Sequence, residues 1–154
     1  MISCREYEIK LITIKDRTQK ELHKKLCEKG YSEDEICEQI EFLKEYGYIN
    51  DERFAQKYIN DCVNLKKWGN ARIKIELLKK GIDKEIIENL LYDDEKSILE
   101  SEFNRKFANA DLSNMKERQR IYGYFLRRGF KSSLVQGVIN SMSSFKDVYF
   151  DEDI

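Results

Sequence analysis

Two basic runs hold the side chains of this chain that are best suited to chemistry. From Cys62 to Gly81, six basic residues (Lys66, Lys67, Arg72, Lys74, Lys79, Lys80) stand against Glu76 alone. From Leu112 to Lys146, seven (Lys116, Arg118, Arg120, Arg127, Arg128, Lys131, Lys146) stand against Glu117 alone. Such stripes attract phosphate backbones or an acidic groove on a protein. The arginines favour recognition over simple solvation, because the planar guanidinium grips phosphate and carboxylate oxygens in pairs. The bland alternative is a solvated helical face that keeps the protein soluble.

Nothing in the sequence points to catalysis. It carries no P-loop, no GxGxxG and no HExxH. The acidic triplet Asp93, Asp94 and Glu95 reads as a helix N-terminus dressed with acids rather than as metal-binding carboxylates. His23 lies on a lysine-rich helix beside a core position and reads as a solvated side chain. Cys4, Cys27, Cys37 and Cys62 have no CxxC spacing and only His23 to join them, so the sequence predicts reduced thiols and no metal, with Cys27 and Cys62 at least partly buried. No enzyme, cofactor or metal is expected.

The net charge of −1 hides this segregation, since residues 1–50 hold 9 basic and 11 acidic side chains and the tail DVYFDEDI is acidic. Charged residues make up 37% of the 154 and hydrophobic ones 41%. Proline is absent and glycine limited to seven residues, which leaves little punctuation for many strands; Leu, Ile, Lys and Glu are abundant, as helices prefer. The fold class is all-α. No apolar run approaches the roughly 18 residues that span a bilayer. The opening MISCREYEIKLITIKDR has charges throughout and does not read as a secretory signal, so the expected compartment is the cytoplasm.

The elements that must position the basic residues repeat. Aligning the chain on Gly30, Gly81 and Gly129 puts six apolar columns in fixed register. Eight residues before each glycine stand Leu22, Ile73 and Ile121; four before, Leu26, Leu77 and Phe125; three before, Cys27, Leu78 and Leu126. One after stand Tyr31, Ile82 and Phe130; six after, Ile36, Ile87 and Val135; ten after, Ile40, Leu91 and Ile139. Offsets of four and eight share one helix face. A glycine after the last turn takes the left-handed conformation that closes a helix, and the residue following it packs on the one four before it.

Helix starts agree with this register. Thr18 with Glu21 and Ser32 with Glu35 read as capping boxes. Asn50 precedes the acids Asp51 and Glu52 at the start of a helix, and Asp83 caps another. Trp68, beside Lys66 and Lys67, either stacks on a base or staples the helix that follows. A third helix precedes each glycine-ended one, roughly over 5–15, 51–65 and 94–109. The sequence therefore predicts an elongated tandem array of three three-helix repeats, about nine helices, bounded at 1–49, 50–92 and 93–145, with an acidic tail at 146–154. Each unit is too small to bury its own core well, so neighbours stack.

The succession RTQKELHKKLCEKGY, GYINDERFAQKYI, KKWGNARIKIELLKKGI and YFLRRGF resembles the bacterial RecX family of recombination regulators. The resemblance runs from about Arg5 to Met142 and is most specific at GYINDERFA, residues 47–55. It implies an all-helical tandem-repeat protein that modulates the RecA recombinase, usually by inhibition. Such proteins lie in the groove of the RecA filament on single-stranded DNA, impede its growth, and depress ATP hydrolysis and strand exchange. The resemblance brings no catalytic residues. It makes Asp51, Phe54 and Ala55 architectural and leaves the basic surfaces as the binding candidates: Lys66, Lys67, Arg72, Lys74, Lys79 and Lys80, with Arg118, Arg120, Arg127, Arg128 and Lys131. The partners so implied are the RecA filament and single- or double-stranded DNA, met by a monomer without a membrane. Many members are plainly basic; the acidic first repeat and tail here shift weight from bare DNA to the filament. The rival readings are an independent nucleic-acid-binding module and a helical scaffold for another protein.

Overall fold

Each of the three aligned glycines ends a helix by the same pair of backbone bonds. Gly30, Gly81 and Gly129 have φ of +102°, +88° and +92°, the left-handed region open to glycine at little cost. Their N–H groups donate to the carbonyls of Cys27, Leu78 and Leu126, each at 3.0 Å. The following residues, Tyr31, Ile82 and Phe130, donate back to Leu26, Leu77 and Phe125 at 3.4, 3.1 and 3.2 Å. This closure satisfies the last carbonyls of each helix and folds an apolar residue onto the turn it has just left. The Phe125 and Phe130 rings, for example, meet edge to face at 5.9 Å.

The computed structural model describes the backbone of residues 2–152 and the side chains of residues 2–144. Among these it contains nine α-helices and no strand: α1 Cys4–Ile14, α2 Gln19–Lys29, α3 Glu33–Glu45, α4 Asp51–Asp61, α5 Asn70–Lys79, α6 Lys84–Leu90, α7 Glu95–Phe107, α8 Met115–Arg127 and α9 Ser132–Glu152. They form three three-helix repeats in which α2, α5 and α8 are the glycine-ended members. The acidic side chains of the tail lie outside the described residues. No described helix is long and apolar enough to cross a membrane.

The capping signals at Thr18 and Asn50 are realised, and that at Ser32 in part. Thr18 and Glu21 form a complete box, the Thr18 hydroxyl accepting from Glu21 N at 3.1 Å and the Glu21 carboxylate accepting from Thr18 N at 3.4 Å. Ser32 caps α3 through Glu35 N at 3.2 Å, but Glu35 turns to the Ser32 hydroxyl instead of its N–H, so that box is half formed. Asn50 caps α4 by accepting from Arg53 N at 3.0 Å. The helix expected over 51–65 ends at Asp61 and gives way to a π turn, Cys62–Lys66. Lys67, at φ +55°, closes that turn, and Trp68 N reaches back to Cys62 O at 3.1 Å. This wider turn gives way to the backbone that leads into α5.

The chain divides into two compact units. The first comprises residues 1–59 and 75–90, the second 60–74 and 91–154. The core of the first gathers Cys4, Leu11, Leu22, Leu26, Tyr31, Ile36, Ile40, Leu43 and Ile49. The core of the second gathers Leu99, Phe103, Phe107, Leu112, Ile121, Phe125, Phe130, Val135, Val138 and Ile139. The columns eight and four before and one and six after each glycine are all buried, as expected. The column three before is not. Leu78 and Leu126 are 42% and 37% exposed, and Cys27 is exposed, which corrects its assignment as a partly buried thiol. One helical step of about 100° carries this position off the face shared by the other two. Cys62 is fully buried, Ala55 likewise, whereas Phe54 is only half-buried and stacks beside Tyr58 at 6.3 Å.

Candidate binding surface

The N-termini of α2 and α5 are each completed by the repeat that follows, and the second of these junctions brings Lys66, Arg72, Arg127 and Arg128 together. In the first unit, Asp51 accepts from Gln19 N at 2.9 Å, and the buried Thr18 hydroxyl donates to Lys80 O at 2.6 Å. In the second unit, Glu95 accepts from Asn70 N at 2.7 Å, while Gly69 N and Ala71 N donate to Arg128 O and Gly129 O at 2.7 and 3.3 Å. The loose carbonyls of one helix C-terminus thus meet the loose N–H groups of another helix N-terminus, which satisfies both ends and aligns opposite dipole ends. Asp94 caps α7 through Ser97 N at 3.1 Å, so two of the acids at 93–95 work as caps.

The second junction is tight. A Cβ on Gly69 would lie 2.3 Å from Gly129 O, and one on Gly129 would lie 2.4 Å from Arg72 Cβ. Backbone meets backbone here because neither glycine has a side chain. The closeness brings two basic segments together. Arg72 donates to Arg127 O at 3.0 Å, and Arg128 donates to Lys66 O. Two cations lie over the Trp68 ring, the Lys66 ammonium 4.4 Å and the Arg72 guanidinium 4.0 Å from its centre. Tyr92 fixes the Trp68 backbone by donating to its carbonyl at 2.8 Å.

Beside this tryptophan opens a cleft of about 350 Å³ lined by Leu65, Lys66, Lys67, Trp68, Glu102, Arg105 and Arg128. Glu102 is its one acidic group and is almost fully buried. Arg105 holds both of its oxygens, at 2.6 and 3.0 Å, and the Tyr124 hydroxyl donates to it at 3.0 Å. The Arg105 bond, more than the opposing burial, keeps the Glu102 carboxyl ionised below its usual range. Arg128 lies over the Tyr124 ring at 4.4 Å. The cleft therefore presents four cations and an aromatic face around a single neutralised carboxylate, a setting for phosphate oxygens and a stacked ring or for an acidic peptide.

The other predicted residues fall differently. Among the described residues no carboxylate pairs with Lys67, Arg127 or Lys131, and Arg127 and Lys131 are exposed. Lys74 is half-buried. Lys79 pairs with Glu76 at 3.5 Å, and Lys80, in the first unit, pairs with Glu21 at 3.8 Å and leans over Tyr58. Arg120 pairs with Glu117 at 3.5 Å. Arg118 ties α8 to α9 through Asn140 and to Leu112 O at 3.2 Å. Three lining residues, Leu65, Glu102 and Arg105, escaped the sequence reading. Arg105 sits in a helix of mixed charge, and the only hint of it was its spacing three after Glu102; Leu65 is 78% exposed because the π turn swings it outward.

Sequence profiles for the first, second and third three-helix domains of RecX match residues 4–43, 50–91 and 93–139. Regulatory protein RecX of Clostridium beijerinckii is 33% identical over 90% of this chain and 68% of its own length. That of Clostridium botulinum strain Eklund 17B is 31% identical over 95% and 71%. The crystal structure of RecX from Lactobacillus salivarius superposes with a TM-score of 0.76 at 26% identity, covering 90% of this chain and 94% of that one. Sequence and backbone agree across all three repeats: the chain belongs to the RecX family of regulatory proteins.

Proposed function

We propose that this protein regulates a RecA-type recombinase by binding in the groove of the filament that RecA forms on single-stranded DNA. The observation that carries the reading is the cleft at Trp68, where Lys66, Lys67, Arg105 and Arg128 converge on an aromatic face. Three repeats of one unit, bounded at 1–49, 50–92 and 93–145, suit a partner that offers the same site again and again. Contacts to several protomers then add through effective concentration without any single strong one. Bound in this way the protein blocks filament growth and lowers ATP hydrolysis and strand exchange. It acts in the cytoplasm, as a monomer, and does no chemistry of its own. Lys67, Arg127 and Lys131 are the residues best placed to reach the filament, because no acid competes for them among the described residues. Arg72 and Arg128 shape the surface while holding the junction.

The test is DNA-dependent ATP hydrolysis by the cognate RecA on single-stranded DNA, titrated with this protein. Suppression at well below one molecule per recombinase protomer is expected. No effect across the titration, with the protein shown to be folded, rejects the reading. Trp68, lining a cleft with Lys66, Lys67 and Arg128, also favours direct contact with unpaired bases. Quenching of the single tryptophan by oligo-dT without recombinase, lost steeply with salt, would mark this second mode.

A further inference from the structure

The turn between α2 and α3 gathers side chains that the sequence keeps apart. His23 and Cys27 stand four residues apart on α2, and Glu33 and Cys37 four apart on α3, so each pair shares one helix face. The closure at Gly30 folds the two faces together. His23 Nε2 lies 2.8 Å from Glu33 Oε1, and Cys27 Sγ lies 3.6 Å from His23 Nδ1 and 3.9 Å from Glu33 Oε2. Cys37 Sγ donates to Glu33 Oε1 at 3.5 Å. One nitrogen, one sulfur and one carboxylate oxygen from His23, Cys27 and Glu33 all lie within 4.8 Å of one another.

We propose that His23, Cys27, Glu33 and Cys37 form a binding site for a thiophilic divalent cation of the zinc class. Tetrahedral zinc with bonds of about 2.0–2.3 Å holds its ligand atoms roughly 3.3–3.8 Å apart, so the His23, Cys27 and Glu33 atoms need to close by up to about 1–1.5 Å, and Cys37, already against Glu33, joins them by a rotation of its own side chain. Exposed side chains on two helices make that adjustment by small rotations, since His23 and Glu33 are 38% and 63% exposed. The donor set selects among cations. Two sulfurs and an imidazole favour zinc over magnesium or calcium, which take oxygen. Binding replaces the two thiol protons, which pass to solvent, and leaves the overall cluster of two thiolates, one carboxylate and one cation at charge −1. The metal would cross-link α2 to α3 at the outer side of the turn and so stiffen the first repeat.

The experiment is cobalt titration of the full chain, reduced with a non-thiol reductant, followed by absorption spectroscopy and then by zinc competition. We expect thiolate-to-cobalt charge transfer and intense tetrahedral ligand-field bands that saturate at one cobalt per chain and vanish on adding one equivalent of zinc. Cys27→Ser and His23→Gln should abolish the tetrahedral bands while the circular dichroism stays unchanged. Zinc should raise the Tm of the unaltered chain with the logarithm of its concentration, and should not raise that of Cys27→Ser. Cobalt bound only with the weak bands of octahedral oxygen coordination would overturn the proposal. So would charge transfer that persists when Cys27 and Cys37 are both replaced by serine.

Discussion

Glu8 offers the sharpest test of how the first unit is held together. It lies on the face of α1 that also carries Cys4 and Leu11, it is fully buried, and neither carboxylate oxygen has a hydrogen-bond partner. Burial raises its pKa from 4.5 to about 7, against a smaller opposing pull from Arg5. At about 1.4 kcal/mol per pH unit, that gap corresponds to a cost near 3 kcal/mol for the ionised form in the folded state. The sign follows from the two pKa values. Below pH 4.5 the group is protonated in folded and unfolded chains alike and adds no pH-dependent cost. Between 4.5 and 7 the unfolded chain ionises while the folded one keeps its proton, so stability falls. Above 7 the cost is complete. Glu8→Gln keeps the shape and stays neutral throughout. It should match the parent near pH 4.5 and exceed it by about 3 kcal/mol at pH 8, a shift of roughly 1.5 M in the urea midpoint for an m-value near 2 kcal/mol/M. Urea unfolding of both proteins at pH 4.5, 6 and 8, read by circular dichroism, gives the difference directly and cancels the other titrating groups. A difference that stays flat across that range would refute the account of Glu8 as a buried, unpartnered acid.

Other perturbations separate backbone strain, capping and surface charge. Gly129→Ala should cost more than Gly30→Ala by over ~1 kcal/mol: both incur left-handed strain, but only at Gly129 does the new Cβ strike Arg72, while at Gly30 it meets nothing within 4 Å. Paired thermal melts decide this, and equal losses would mean that the junction yields. Thr18→Val removes a cap and leaves Lys80 O without its donor, so a loss of about 2 kcal/mol is expected, largely restored in Thr18→Ser. Denaturant unfolding of the three proteins checks it. Reversing Lys67 and Arg127 to glutamate should leave the Tm nearly unchanged but weaken filament binding at least about tenfold and flatten its log–log salt slope by about 1.4, one increment per lost phosphate contact. Binding measured across a salt series would expose those residues as bystanders if the slope held.

The sequence by itself determined the repeat. Helical offsets before each glycine, the glycine itself and the apolar residue after it are local physics, settled within one turn of chain. Those positions reappear as three identical closures with Leu26, Leu77 and Phe125 fully buried. Local chemistry also gave the Thr18 box and the acid Asp94 at the start of α7, and the resemblance over 5–142 gave the family. What the sequence left open depends on residues distant in the chain. The exposure of the Cys27, Leu78 and Leu126 column is decided by which sides of a helix find a neighbour, and composition does not record that. Glu8 looked like one of many scattered charges; only packing α1 into the core of its unit stripped it of water. Asp51 read as an acid at its own helix start, yet its carboxylate caps α2, 32 residues earlier. Arg72 and Arg128 read as ligand-gripping forks, but the close approach of Gly69 to Gly129 turns donors of both onto backbone carbonyls. A charge stripe is one-dimensional information. Whether a cation is spent on a carbonyl, paired with a carboxylate or left to a partner is fixed by distances of a few ångströms, and those exist only once the chain has folded.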